Sequence, residues 1–310
     1  MAAIALYFGK VNLVSGEING VIYNEISLRN ILEQVSVALV DGISFKTEKP
    51  IKVDDEFKSE EIEYSLAIKE KNDSYVRGYI YKKSYIHYKD YNENTKDLDS
   101  KKIPNTEGVE FLYEYYREMI AYQRTQRFGY KEVLNAFEGI INCACTNNGL
   151  SYKFSIAQYT EGLELDQLKD YLIERPVQEL NIKYQIPNPN SELLDSIRAN
   201  REKTIEEFTA ANLTTKSVIY HTNSKKGINI ESEMIENELN HISSLHSEID
   251  VSHALRNGYV VVEATDINGV KKSSADMRPL IKHIDESIDF MEAAHSTITA
   301  SVEREIRKNQ

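Results

Sequence analysis

The sequence predicts an α+β protein with antiparallel or mixed sheets, a central β-α-β-α-β unit and a helix-rich C-terminal part. Three observations carry that prediction. Between Phe111 and Gln185 the apolar residues change period repeatedly. They read strand-like over Phe111–Arg127, helix-like over Tyr130–Asn142, strand-like over Tyr152–Tyr159, helix-like over Asp166–Glu174 and strand-like again over Gln178–Gln185. Upstream of this unit the spacing is mostly that of strands. Downstream it is mostly helical, interrupted by two hairpin signals.

Taken in order, Ile4–Leu13 reads as the first strand, with Gly9 at a bulge. Ser27 is placed to cap a helix over Ser27–Val35, whose Leu28, Ile31, Leu32 and Val35 form one stripe. Val37–Phe45 returns to strand spacing around a turn at Asp41-Gly42. Ile62–Ile68 and Tyr75–Tyr91 are strands joined by the polar Lys69–Ser74. In the second strand, Tyr75, Arg77, Tyr79 and Tyr81 share one side, and Tyr85, His87, Lys89 and Tyr91 do so further on. Asn92–Thr106 is charged, contains Pro104 and reads as a surface loop. In the central unit, Val133, Leu134, Phe137, Ile140 and Ile141 make the apolar stripe of the first helix. Leu165, Leu168, Leu172 and Ile173 serve the second, which Pro176 ends.

Pro187-Asn-Pro-Asn190 is the strongest break. It divides a β-rich domain, residues 1–187, from a helical domain, residues 191–310, that holds two short hairpins. In the second domain Ser191 heads a helix carrying Leu193, Leu194, Ile197, Ile205, Phe208 and Leu213. Ser217–Thr222 and Ile228–Ile230 pair across Asn223–Gly227. Glu231–His246 is a helix, and Tyr259–Thr265 and Val270–Ser273 form a hairpin about Asn268-Gly269, a dipeptide suited to a tight primed turn. Pro279 opens a long final helix with Ile281, Ile284, Ile288, Met291, Ile298 and Val302 on one face.

Composition narrows the function classes. The chain has 310 residues, 41% hydrophobic and 28% charged, as in an ordinary globular protein. Its net charge of −12, from 49 acidic against 37 basic residues, repels nucleic acid and anionic membrane at long range, so binding either one requires a local cluster of bases. Cys143 and Cys145 are one residue apart, a spacing that strains a bridge and lacks the Cys-x-x-Cys metal pattern; they read as reduced thiols. Met1–Lys10 lacks the pattern of a secretory leader, and no window approaches the ~18 apolar residues of a membrane span. A cytoplasmic protein without membrane insertion is expected. Phosphate-loop, dinucleotide-binding and nucleophile-elbow motifs are absent, so a non-enzymatic protein without a cofactor is expected.

Four constellations carry chemistry. The basic–aromatic run Arg77–Lys89 supplies Arg77, Lys82 and Lys83 for phosphate, with Tyr79 and Tyr81 to stack on bases; the plain alternative is a solvated hairpin. Arg117, Arg124 and Arg127, near Gln123 and Gln126, are of the types that contact phosphates and base edges. His241, His246 and His253 lack the spacing that puts zinc ligands on one helix face. The acidic run Asp54, Asp55, Glu56, Glu60, Glu61 and Glu63 raises a metal-dependent nuclease as a further alternative, against a solvated acidic loop.

One resemblance adds to this reading. Met119–Gln126, Lys131–Ile141, Tyr152–Ala157, Leu165–Leu172, the strand ending in Leu180–Asn190, and Tyr259–Lys271 with its Asp266-Ile-Asn-Gly-Val are similar to a family of bacterial proteins of unknown function. That family is found near phage-defence genes and is loosely akin to the Rex exclusion protein A of lambdoid prophages. The resemblance implies a cytoplasmic defence or exclusion protein that binds DNA and self-associates; it assigns no catalytic residue. The expectation is therefore a nucleic-acid-binding protein of anti-phage defence, with DNA or RNA as partner and Arg77, Lys82, Lys83, Arg117, Arg124, Arg127, Tyr79 and Tyr81 as contacts. The alternative is an oligomeric scaffold, homo-oligomeric or joined to a second defence protein, that docks through Ile284 and Ile288 on the final helix.

Overall fold

We describe the protein from a computed structural model, over residues 3–53, 56–94, 96–161, 165–186, 203–241, 251–285 and 287–308. Among these residues it is α+β, with two antiparallel sheets. The larger contains β1 (Ala3–Leu13), β2 (Ser44–Val53), β3 (Glu56–Lys71), β4 (Tyr75–Asn92), β5 (Asp97–Glu114), β6 (Met119–Tyr122), β7 (Phe154–Gln158) and β12 (Ile281–Asp285). Its strand order is β12-β1-β6-β5-β4-β3-β2, and β7 pairs with β1. The smaller sheet holds β8 (Val177–Gln185), β9 (Thr215–His221), β10 (Val260–Asp266) and β11 (Lys271–Ser273), in the order β11-β10-β8-β9.

The helices among the described residues are α1 (Glu17–Ile22), α2 (Leu28–Ala38), α3 (Tyr130–Asn147), α4 (Leu165–Ile173), α5 (Lys203–Ala210), α6 (Glu233–His241), α7 (Val251–Arg256) and α8 (Phe290–Lys308). As expected, Ser27 caps α2, its side chain accepting from the Asn30 amide. The α3 stripe Val133, Leu134, Phe137, Ile140 and Ile141 packs into the main core with the α2 stripe and one face of the large sheet. On the opposite face α8 places Ala294 and Ile298 over Leu6, Phe8, Leu112, Ala121 and Ile284. No described helix is long and apolar enough to cross a membrane.

β1 ties the chain ends together. Its residues 7–10 pair with β6, and its other edge takes β12 along residues 3–7 and β7 along residues 9–13. Gly9 is not a bulge, because its register is regular on both sides; it is small because α3 presses close, and an added Cβ would lie 2.6 Å from Leu134. Beside it, Lys10 is buried with Glu118, donating to that carboxylate at 3.2 Å and to the Arg117 carbonyl at 3.1 Å.

Several expectations need correction. The central elements occur in the order that suggests one small open sheet with helices packed on it, but their strands split between two sheets: β6 and β7 join the large sheet through β1, and β8 lies in the other. Phe111–Arg127 is two strand segments, because Glu118 takes a left-handed conformation (φ 53°) and turns the chain; apolar residues on both sides hide that turn. Residues 37–43 are the end of α2 and a turn rather than strand, with Gly42 left-handed at φ 76°. Asn92–Thr106 is mostly strand, since β5 pairs with β4 from Asn92↔Asp97 to Tyr75↔Glu114. Both faces of that ribbon are open to water, so it carries no apolar rhythm.

Further along, β9 pairs with β8 instead of with residues 228–230. The β10–β11 hairpin forms with a three-residue loop rather than a tight primed turn: the Asp266 amide donates to the Val270 carbonyl, and Gly269 is left-handed at φ 78°. Pro279 does not open a helix. Residues 281–285 are the edge strand β12, and α8 begins only at Phe290. The Pro187–Asn190 boundary, the start of the Ser191 helix and the end of the Glu231–His246 helix lie outside the described residues.

Gly78 sets the β3–β4 contact. A Cβ there would stand 2.0 Å from the Ala67 carbonyl oxygen, beside the register shift between Ile68 and Glu70. Gly78→Ala is therefore expected to cost about 1–3 kcal/mol in chemical denaturation. Gly16→Ala, which meets nothing within 4 Å at a right-handed φ of −58°, should leave the midpoint unchanged or raise it slightly.

Candidate nucleic-acid interface

The alternation of β4 sorts its side chains by parity. Val76, Gly78 and Ile80 are buried on the α3 side. The other parity reads Tyr75, Arg77, Tyr79, Tyr81, Lys83, Tyr85, His87, Lys89 and Tyr91, each residue Tyr, Arg, Lys or His. Neighbours in this row stand two residues apart, ~6.7 Å along an extended strand. The α8 cluster reaches Tyr75; beyond it the row passes from half-buried to exposed.

The inner half of the row is electrically matched. Arg77 Nε donates to Glu70 Oε2 at 2.9 Å, and Glu70 also accepts from the Tyr75 hydroxyl. Lys83 meets Glu63 at 3.2 Å. From β3, Lys69 lies 4.3 Å from the Tyr79 ring centroid, donates to its hydroxyl at 2.9 Å and pairs with Glu110 at 3.4 Å. Tyr79 and Tyr81 sit 5.8 Å apart, tilted by 36°. Tyr81 packs across β5 at Gly108, where a Cβ would come 2.7 Å from its ring.

The outer half is a two-stranded ribbon. β3 pairing stops at Lys83, and β4 and β5 continue together to the turn after Asn92. A hollow of about 270 Å³ opens where the strands part, between Glu63, Lys83, Tyr85 and Thr106. Tyr85 and Tyr91 are exposed on the ribbon, and Lys102 of β5 lies 4.2 Å from the Tyr85 ring centroid. His87 Nε2 contacts the buried Glu60 at 2.6 Å.

The eight contact residues read from the sequence separate in space. Arg77, Tyr79, Tyr81 and Lys83 share the row. Lys82 has the opposite parity and is engaged inward: its ammonium donates to the Arg127 carbonyl at 2.8 Å and to Glu132 at 3.0 Å. Arg124 lies on the same side as Lys82, stacked 5.3 Å from the Tyr7 ring, and Arg127 is exposed in the loop before α3. Arg117 is held in the β5–β6 turn by Glu114 at 2.6 Å, and Glu114 also contacts His295 of α8 at 2.8 Å. Lys82, Arg124 and Arg127 therefore do not extend the row, whereas Arg117 stands at its inner end through Glu114, the cross-strand neighbour of Tyr75. The row gains Tyr85, His87, Lys89 and Tyr91, whose shared side was visible in the sequence, and Lys102, which was hidden in a segment read as loop.

The other constellations do not converge. Among the described residues no cluster of three His, Cys, Asp or Glu could hold a metal ion. Glu60, Glu61 and Glu63 are taken by His87, Lys46 and Lys83 respectively, while Asp54, Asp55 and His246 lie outside the described residues. Cys143 and Cys145 are free thiols on α3, and burial pushes the Cys145 thiol up to about 11. Ile284 is 4% exposed beneath α8, whereas Ile288 is 46% exposed in the turn before it. They do not share a helix face, because Ile284 pairs with Ile4 in β12.

A family model described as a domain of unknown function, DUF4747, matches residues 44–300, well over half of the chain. The chain belongs to the DUF4747 family. The match runs from β2 into α8 and so contains the whole tyrosine–basic row. No curated protein and no solved structure matches the chain.

On the α3 side, Glu132 accepts from Lys49, from the Tyr64 hydroxyl at 2.6 Å and from Lys82 at 3.0 Å. Burial alone would raise its pKa, but these hydrogen bonds outweigh burial and hold it below its ordinary 4.5; burial and the same carboxylate raise Tyr64. A depressed carboxylate contributes stability above its unfolded value and loses it as pH falls through the folded one. Denaturation midpoints should therefore drop as pH falls below 4.5, and Glu132→Gln should be less stable at neutral pH with a shallower acid dependence.

Proposed function

We propose that the protein binds single-stranded nucleic acid along β4 and catalyses no reaction on it. The observation that supports this reading is the unbroken row of Tyr, Arg, Lys and His from Tyr75 to Tyr91, half-buried from Arg77 to Tyr81 and exposed from Lys83 outward. Tyr79, Tyr81, Tyr85 and Tyr91 supply ring faces, each worth ~1–3 kcal/mol per stacked base. Arg77, Lys83, Lys89 and Lys102 supply cations for the strand's phosphates. The ion pairs of Arg77 and Lys83 must be exchanged on binding, and the ribbon beyond Lys83 offers the more exposed rings, Tyr85 and Tyr91. The net charge of −12 opposes approach at long range and confines binding to this local surface.

Fluorescence anisotropy with labelled single- and double-stranded DNA and RNA across a salt series tests the reading. Single strands should bind more tightly than duplexes, with affinity falling as salt rises. Replacing both Tyr85 and Tyr91 with Ala should weaken binding ~10-fold or more. Lys89→Glu with Lys102→Glu should also reduce the salt slope by ~0.7 for each phosphate left without its cation. Arg124→Glu with Arg127→Glu, on the other side of the sheet, should change affinity little. No binding at low salt would remove the proposal.

Anti-phage defence or phage exclusion is the cellular setting we propose for this activity, supported by the resemblance of segments 119–190 and 259–271 to the defence-associated family. Expression should then lower phage plating efficiency, and the Tyr85→Ala, Tyr91→Ala variant should restore it.

A further inference from the structure

A cleft of about 550 Å³ lies between the two sheets, and no residue of β4 or β5 lines it. Its volume is that of a small-molecule site. One wall is β7 with the first turns of α3; the other is the outward side of β8, β10 and β11. The sheets touch at one end, where Gly258 packs on Ala157 so closely that a Cβ would come within 2.2 Å of the Ala157 Cβ. A 2.7 Å ion pair between Lys131 and Asp276 links the walls elsewhere.

The lining is polar and carries specific hydrogen-bonding groups. β8 presents Asn181, Lys183 and Gln185 in one row, with Lys183 held by Glu263 at 2.8 Å. The side-chain carbonyl oxygens of Asn181 and Gln185 are shielded from solvent and accept no hydrogen bond from the described residues. On the facing wall, Tyr130 is anchored by stacking on Tyr7, with centroids 5.6 Å apart and planes within 7°. Lys271 is exposed and pairs with no described carboxylate.

Amide side chains pair in bidentate fashion with nucleobase edges, a tyrosine ring offers a stacking surface, and lysine takes phosphate. A polar ligand toward which the Asn181 and Gln185 amides turn would give their carbonyls the donors they lack. We infer that this cleft is a second, separate binding site, for a mononucleotide. The base lies against Asn181 and Gln185 with Tyr130 beside it, and the phosphate is held by Lys271, joined by Lys131 once it exchanges its pair with Asp276. This site is independent of the strand-binding surface on β4.

Isothermal titration and thermal-shift measurements of the full chain with AMP, GMP, CMP and UMP test the inference. Saturable one-to-one binding of at least one of them is expected, with a raised melting midpoint, and ribose 5-phosphate should bind more weakly. Lys271→Glu, at an exposed position, should weaken binding ~10-fold or more. Asn181→Leu, checked for folding by circular dichroism, should erase the preference among bases while keeping phosphate-dependent binding. No response to any of the four nucleotides would overturn the inference, and so would binding unchanged in Lys271→Glu. Mononucleotide heat without oligonucleotide anisotropy, or the converse, removes one proposal and keeps the other.

Discussion

The register of β4 is the constraint on which the rest depends. Every second residue at its inner end, Val76, Gly78 and Ile80, is locked into the core beneath α3, and Gly78 lets β3 approach where no side chain would fit. Because the side-chain period of a strand is two, a slip of one residue would bury the tyrosine–basic row and expose the core. β5 holds the same register over the whole of β4 without a shift, so order imposed at Val76 is carried out to Tyr91. The functional row therefore follows from core packing on the strand's other side.

Charge matching explains why this acidic chain keeps so many cations on one strand. Arg77 faces Glu70, Lys83 faces Glu63, and Lys82, on the far side, closes the Glu132 network with Lys49 and Tyr64. Exposed pairs of this kind add little stability. They do limit self-repulsion along a strand whose row holds no carboxylate of its own. Past Lys83, where pairing with β3 ends, Tyr85 and Tyr91 open to solvent.

Much of the architecture was legible in the sequence because it rested on buried stripes. The Ser27-capped helix, α3, α4, the strands flanking them and the late hairpin follow the apolar period. The misreadings have physical causes. Asn92–Thr106 lacks apolar alternation because its ribbon is wet on both sides, and pairing with β4 makes it a strand. Ile281, Ile284 and Ile288 have helical spacing by coincidence: the edge of β1 recruits the first two, and the third falls in a turn. The strands of the central unit have the right order, but only tertiary pairing decided which sheet each joined. Every residue of the candidate row but Lys83 was grouped from parity alone, and the same parity separates Lys82 from Lys83. The sheet-to-sheet cleft was not legible, since α3, β8 and β11 meet only in space.

Ultraviolet cross-linking of a 4-thiouridine-labelled single strand to the full chain, with mass-spectrometric mapping of the adducts, tests the central claim most directly. Adducts at Tyr81, Tyr85 and Tyr91, suppressed by unlabelled strand, are the expected result. Adducts confined to the opposite side of the sheet, around Tyr7 and Tyr116, or no specific adduct under conditions of measured binding, would contradict the account.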